Sequence, residues 1–445
     1  MANFFIKTKK VILLLGDLAT LYLGLYLTLI IRYGLKDIGY FWSGHVIMFT
    51  VVFVIWLLVF FINELYDLKI SYNINNLLNL LVRVYVINIL IAIAIFYFFN
   101  PFLGSIKPQR VLAIDVIISL VFSFLWRRIF YTFIKSSAIS NKVLIIGQSP
   151  LADSLIREIN HKPQLGYQAI NNQNVPEDLK KYCQENQVDI LVSANSLKNN
   201  DEISRKIFDC LSLGVDVYNI NSFYEQITNK VPAEYLEHSW FLENLAEHSK
   251  KLYEISKRIM DVFLALLGLL VAIFIAPPIA LIIKLESPGP VVFKQIRVGK
   301  NGKNFLAMKF RSMFDNAEKN GPQWASENDP RVTRFGRLMR KTRLDEIPQL
   351  INILRGEMSL VGPRPERPEF IQILAQEVPF YRERLLVKPG LTGWAQLNGP
   401  AYGGSKEESL EKVKYDLYYI KNRSLLMDLS ILLKTIKVAL GGRGR

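Results

Sequence analysis

Apolar residues run almost unbroken over 11–31, 43–62 and 78–99, with a shorter run at 111–126. Each approaches the roughly 20 residues needed to cross a bilayer. Four such runs in succession predict a transmembrane four-helix bundle over 1–135 rather than buried core helices. Lys7, Lys9 and Lys10 precede the first run, and Arg127, Arg128 and Lys135 follow the last. The positive-inside rule then puts both ends on the cytoplasmic side, although it leaves Arg32, Lys36, Lys107 and Arg110 outside. Asp17, Arg83 and Asp115 lie in or beside these runs. Intramembrane charges are functional candidates by default, but helix–helix contact explains them as well, and no role is assigned to them.

The pattern changes after residue 135. KVLIIG (142–147) reads as a buried strand and LADSLIREI as a helix; VDILVS (188–193) and VDVYNI (215–220) are further strands around a helix at 202–213. Alternating strands and helices predict a small doubly wound, Rossmann-like domain over 136–245. A dinucleotide fingerprint needs G-x-G-x-x-G after the first strand. Here Gly147-Gln148-Ser149-Pro150-Leu151-Ala152 lacks the second glycine, and no acidic residue ends a clear second strand, so a structural or regulatory role is expected.

Lys257 and Arg258 then open an apolar segment, 259–283, with Asp261 one turn in and Pro277-Pro278 near its end. It is long enough to span, but adjacent prolines remove two donors and predict a break. A helix that enters one leaflet and returns needs such a break. The expectation is a re-entrant helix over 257–284, within a helical, α/β-poor catalytic domain over 246–445 that stays on the cytoplasmic face.

Composition agrees. The chain of 445 residues is 51% hydrophobic, with mean hydropathy +0.20 and formal net charge +15. A basic, apolar chain suits a membrane surface, phosphate-bearing substrates, or both; the long apolar runs argue against nucleic acid. Cys183 and Cys210 form no CxxC-like pattern, which points to neither disulfide scaffold nor zinc and to a reducing compartment. The histidines at 45, 161, 238 and 248 are scattered. The first apolar run is too long for a cleavable signal, and no small-residue cleavage site follows it.

Candidate chemistry concentrates at 340–366, RKTRLDEIPQLINILRGEMSLVGPRPE. Asp345 and Glu346 are adjacent carboxylates in a field of arginines, and Arg364 sits between two prolines. Guanidinium groups hold phosphate oxygens in bidentate fashion, while a carboxylate can bind a divalent cation or attack phosphorus. An exposed helix start with an acidic first turn and solvated basic flanks is the plainer reading. Upstream, 285–313 has turn chemistry at SPGP and a hairpin turning at 299–302, with Lys309 and Arg311 at its end. NDPRVTRFGRLMRKTRLDE adds Arg331 and Arg340; VKPGLTGWAQLNG offers Trp394 and Gln396; KVKYDLYYI is an amphipathic helix with Asp416.

KR…D, SPGP, KQIRVG, KFRSM, NDPRVTRFGR, RLDEIPQ, GEMSLVGPRP, KPGLTGWAQ and YDLYYI, over 252–441, resemble successive motifs of the bacterial sugar transferase family, the monotopic phosphoglycosyl transferases. Four spans and a degenerate nucleotide-fold domain ahead of them are similar to its long-form members, undecaprenyl-phosphate galactose and glucose phosphotransferases that start exopolysaccharide, capsule or O-antigen synthesis. The resemblance implies transfer of a sugar 1-phosphate from a UDP-sugar to undecaprenyl (polyprenyl) phosphate, with release of UMP through a covalent aspartyl phospho-sugar intermediate. It carries the nucleophile role to Asp345, an essential partner role to Glu346, and Mg²⁺ to both. It carries phosphate binding to Arg340 and Arg364, and substrate or phosphate contacts to Lys309, Arg311, Arg331 and Asp416. It further implies a multi-pass protein of the bacterial inner membrane, and long-form members suggest a homodimer. The family break is often Ser-Pro, whereas Ala276-Pro277-Pro278 falls about a turn later than Lys257-Arg258 would set it. A membrane sensor with an inactive transferase module is the alternative, which the intact carboxylate pair and Arg364 disfavour. A membrane oxidoreductase is undercut by the missing glycines. The sugar is not legible, because discrimination rests on a few pocket contacts.

Overall fold

The computed structural model describes residues 2–68, 73–99, 108–135, 140–172, 174–194, 201–245, 250–315, 317, 321, 323–324, 329–400 and 405–440, which fall into two compact units, Met1–Thr228 and Asn229–Arg445. The first unit opens with helices α1 (Ala2–Tyr33), α2 (Ile38–Ile62), α3 (Ile74–Phe99) and α4 (Pro108–Lys135). Their core is aromatic: Phe53, Trp56 and Tyr85 meet with ring centroids 5.6–5.7 Å apart, and the Trp56–Tyr85 pair is edge-on, a geometry that favours ring pairs beyond simple area burial. Helices α1 and α4 pack closely, since a methyl at Gly24 would stand 2.4 Å from the Ser119 hydroxyl.

α1, α2 and α3 are each long and apolar enough to cross a membrane, but α4 is not among the described helices that qualify. The fourth predicted span is therefore a helix whose polar residues lower its hydropathy: Asp115, Ser119, Ser123 and Arg127 are all buried. Arg127 pairs with Asp17 at 2.5 Å and donates to the Leu65 carbonyl at 2.7 Å. The sequence signal was four apolar runs; the structure buries a charged stripe in the last.

The same unit continues as β1 (Asn141–Ile146), α5 (Pro150–His161), β2 (Tyr167–Asn172), α6 (Leu179–Asn186), β3 (Ile190–Ser193), α7 (Asp201–Cys210), β4 (Asp216–Asn219) and α8 (Ile220–Thr228). The sheet is parallel with order β2-β1-β3-β4, and Val143 lies between Ala169 and Ile190. Val143, Ile145, Ile190 and Val192 share a cluster with α5 and α8, while Leu144, Ile146 and Leu191 face Cys183 of α6 and Ile207 of α7. Helices thus cover both faces, as a parallel sheet requires. β2 was not foreseen: YQAINN lies at the edge of the sheet and lacks the apolar run of a central strand.

The second unit comprises α9 (His238–Asn244), α10 (Lys251–Glu286), the antiparallel hairpin β5 (Val292–Val298) and β6 (Asn304–Phe310), α11 (Arg334–Thr342), α12 (Gln349–Arg355), β7 (Ser359–Val361), α13 (Pro368–Glu377), β8 (Gly390–Thr392), α14 (Trp394–Asn398), α15 (Lys406–Asn422) and α16 (Leu425–Leu440). β7 and β8 pair in parallel. The boundary expected after 245 falls inside this unit. Val231 donates its N–H to the Lys414 carbonyl at 3.0 Å, Glu234 pairs with Lys414, and Trp240 is buried.

α10 runs 36 residues without interruption through Pro277 and Pro278, so the predicted break is absent from its secondary structure. Proline's fixed φ suits a helix; its cost is the missing N–H, here at the carbonyls of Ile273 and Phe274 one turn back. One stripe of α10 (Lys257, Asp261, Ala265, Ala272, Ile279, Ile283) is buried on the unit, while Ile259, Phe263, Leu270, Phe274, Leu281 and Leu285 are exposed. Both ends are tied to the same unit. Near the start, Arg258 donates to the Ile353 and Leu354 carbonyls at 2.6 and 2.8 Å; at the finish, Arg311 donates to the carbonyls of Ser287 and Pro288 at 2.6 and 2.7 Å.

Candidate active site

Three pieces of chain converge. β6 delivers Lys309 near its end. α11 is capped by Thr333, whose hydroxyl accepts the Gly336 N–H at 3.0 Å. Gly336 must be small, because a Cβ there would lie 2.1 Å from the Ser312 carbonyl. α11 stops at Arg343, which adopts a left-handed φ of 58°, a conformation costing a non-glycine residue roughly 1–2 kcal/mol. That stop turns the chain into a single 3₁₀ turn, Leu344–Glu346, and presents Asp345 and Glu346 inward, 7% and 6% exposed. α12 follows and is braced on the hairpin by Asn352, which accepts the Met308 N–H at 3.1 Å and donates to the Leu306 carbonyl at 2.7 Å.

The two carboxylates differ in environment. Glu346 Oε1 accepts from Lys309 Nζ at 3.2 Å and from Arg364 Nη2 at 3.1 Å; Arg343 Nη1 stands 3.8 Å from Oε2. Burial alone would push Glu346 up, but Lys309, then Arg364 and Arg343, hold it down to about 2. Asp345 makes no hydrogen bond or ion pair among the described residues. Burial pushes it up to about 6, aided by the Glu346 charge and opposed by Lys309, Arg340 and Arg364. Neighbouring carboxylates pushed apart in this way commonly take different chemical roles. Arg340 is aimed by its Nε bond to the Ser312 hydroxyl at 2.9 Å. Four cations, Lys309, Arg340, Arg343 and Arg364, thus surround two carboxylates, and Glu346 Oε2 is buried with no hydrogen-bond partner.

The remaining predicted residues are placed differently. Arg331 is locked to Asp329 through Nε at 2.8 Å and Nη2 at 2.6 Å, and this pair acts electrostatically on Arg340 from behind. Arg311 is buried and spends its guanidinium on backbone carbonyls at the end of α10. Asp416 is buried and accepts from Arg384 Nη2 at 2.9 Å; Arg384 in turn donates to the Arg364 carbonyl at 3.2 Å. Arg311 therefore holds backbone and Asp416 holds Arg384, and the described contacts do not bring either to the carboxylate pair. Trp394 donates to the Asn229 carbonyl at 3.3 Å, and Gln396 is buried beside the Leu391 carbonyl. Arg343, Ser312 and Arg384 join the cluster beyond the residues expected from the motifs. Arg343 lay in plain view, two residues before Asp345; its left-handed backbone had no signal.

The bacterial sugar transferase profile matches residues 252–442, which contain the whole cluster. The chain is 41% identical over 243 residues to the UDP-N-acetylgalactosamine-undecaprenyl-phosphate N-acetylgalactosaminephosphotransferase of Aeromonas hydrophila, covering 55% of this chain and 56% of that one. It is 50% identical over 129 residues to a putative undecaprenyl-phosphate N-acetylgalactosaminyl 1-phosphate transferase of Bacillus subtilis, covering 29% of this chain and 72% of that one. It is 45% identical over 181 residues to the UDP-glucose:undecaprenyl-phosphate glucose-1-phosphate transferase of Escherichia coli K12, covering 40% of this chain and 39% of that one. A unit with a cation-ringed carboxylate pair and one long helix of exposed apolar face is what fold and site define. The chain belongs to the bacterial sugar transferase family.

Proposed function

We propose that this protein transfers a sugar 1-phosphate from a UDP-sugar to a polyprenyl phosphate and releases UMP. The observation that carries the reading is the divided carboxylate pair. Glu346 is pinned by Lys309 and Arg364, whereas Asp345 beside it is buried and unengaged. Asp345 is the nucleophile. One of its oxygens attacks the sugar-side phosphorus of the donor, the bond from that phosphorus to the bridging oxygen breaks, and UMP leaves with the bridging oxygen. A phosphate oxygen of the polyprenyl acceptor then attacks the phospho-aspartate, freeing the Asp345 carboxylate. Glu346 keeps Lys309 and Arg364 in place, and the surplus of guanidinium groups takes up the charge that develops on the phosphoryl oxygens.

The donor set suits Mg²⁺. Among the described residues no cluster of three or more acidic, histidine or cysteine side chains exists, and Mg²⁺ is usually held by one or two carboxylates plus substrate phosphates. Asp345 and Glu346 Oε2, which accepts no hydrogen bond, would hold it. When bound, the ion neutralises pyrophosphate charge.

The attachment of both ends of the unbroken α10 to one unit supports a helix that lies along one side of the bilayer, with its exposed apolar face in lipid. On that reading the catalytic unit faces the cytoplasm of a bacterial inner membrane. The test is UMP release by the purified protein with Mg²⁺, from UDP-N-acetylgalactosamine, UDP-glucose and related donors, with and without undecaprenyl phosphate. Lipid-dependent UMP from one donor is the expected result. No UMP from any donor, by protein shown to be folded, overturns the proposal.

A further inference from the structure

A second basic cleft lies on the same unit, away from the carboxylate pair. It has a volume of about 440 Å³ and is bounded by the first turns of α10, β7, residues 387–388 and the end of α15. Four cations and two acids line it. Lys257 is neutralised by Asp428 at 2.8 Å, and Arg423 by Glu254 at 3.3 Å. Asp261 is engaged by the Leu360 N–H at 3.0 Å. Arg258 is held by neutral carbonyls alone, which fix its guanidinium without supplying a counter-charge. Lys388 has no hydrogen bond or ion pair among the described residues. A Cβ at Gly356 would be 3.5 Å from Lys388 Nζ and 3.7 Å from Arg258 Nη2, so the two cationic groups share one wall. Burial, then the Arg258 charge, pushes Lys388 below its ordinary pKa against the opposing pull of Asp261 and Glu254, and a bound anion would add to that pull. Ile255 and Ile259, from the exposed apolar face of α10, form the lip at 59% and 66% exposure.

A basic wall with an apolar lip fits an amphiphile. We propose that Arg258 and Lys388 bind the phosphate of a membrane lipid at a site separate from the catalytic pair. The inference rests on the reading above that the apolar face of α10 meets lipid. α12 separates the two sites: Glu346 lies just ahead of its start and Arg258 caps the carbonyls at its end, about 10 Å of helix at 1.5 Å per residue. The chemistry common to both candidate sources is a lipid-borne phosphate, either the diester of an anionic phospholipid or the monoester of a polyprenyl phosphate.

The test is native mass spectrometry of the full chain in detergent, titrated separately with phosphatidylglycerol, a polyprenyl phosphate and inorganic phosphate. Wild type should bind at least one of the lipids, and the one it prefers names the source. Lys388→Gln should weaken that binding about tenfold or more, equivalent to about 1.4 kcal/mol, while Lys388→Arg retains it. Ile259→Asp, on the exposed lip, should weaken lipid but not inorganic phosphate, and it provides a second handle if Lys388→Gln melts early. Equal lipid binding by wild type and Lys388→Gln overturns the proposal, as does binding of inorganic phosphate as tight as that of either lipid. The readout is binding, so a protein that releases no UMP yet holds lipid through Lys388 would refute the proposed reaction and leave this site standing.

Discussion

Two of the places where the molecule buries charge treat it in opposite ways. In the helical bundle, Asp17 and Arg127 are both fully buried and matched one to one, with the guanidinium over the rings of Phe60 and Tyr66 at 5.7 and 5.5 Å. Around Asp345 and Glu346, four cations face two carboxylates. A matched pair spends its charge on structure and gains little net stability over an apolar isostere. A surplus of positive charge near a cleft costs stability and makes sense only where an anion completes it. The excess of cations, more than the presence of carboxylates, marks this cluster as the candidate site.

The strongest break in that comparison is Asp345→Asn. It should cut turnover by at least about 10³-fold and abolish a trappable covalent adduct, while melting no lower than wild type, because Asp345 makes no hydrogen bond or ion pair among the described residues and burial disfavours its charged form. Near-wild-type turnover would sink the nucleophile assignment. Asp17→Asn should behave in reverse. It strands Arg127, which costs about 3–5 kcal/mol in detergent unfolding, and leaves UMP release per folded molecule unchanged. A combined Asp17→Leu, Arg127→Met variant should recover most of that loss, and failure to do so would show that the pair is more than a matched charge.

Arg364→Ala should reduce kcat/KM about 10²-fold, with the melting temperature little changed because its side chain is 40% exposed. The smallest effect is with pH. Turnover should fall as pH drops below about 6, where Asp345 takes up a proton. Stability moves the other way. A carboxyl raised from 3.8 to about 6 contributes its stabilisation fully below 3.8 and loses it as pH rises through about 6. Glu346, held down to about 2, stays ionised across that window. The acid limb should therefore be reversible loss of rate in folded protein, which circular dichroism beside the pH–rate profile can check.

Much of this site was legible because it is local. Arg340, Asp345, Glu346 and Arg364 lie within one stretch of chain, and a short helix and two prolines leave them little room to separate. Lys309 was legible as the end of a hairpin whose turn carries two glycines. Arg311 and Asp416 show the limit of motif reading. Motif position proposed a ligand contact, but which acceptor a guanidinium finds, a backbone carbonyl or a phosphate, depends on packing. Arg311 is buried against the end of α10, and Asp416 reaches the site only through Arg384 and the Arg364 carbonyl. α10 illustrates the same point, since side-chain packing along one face carries helix geometry across two prolines that local chemistry alone would take as a stop. β2 escaped notice because an edge strand needs few apolar residues.

The stretch 229–245 has a practical meaning for anyone who dissects the chain. A fragment cut at the compositional border, starting at 246, would strip Val231 and Trp240 from the interior, remove Glu234 from Lys414 and leave the Trp394 indole without the Asn229 carbonyl. One starting at 229 keeps them all. These seventeen residues read as the tail of one domain and fold as the first strap of the next, so the place to put the scissors is behind Thr228.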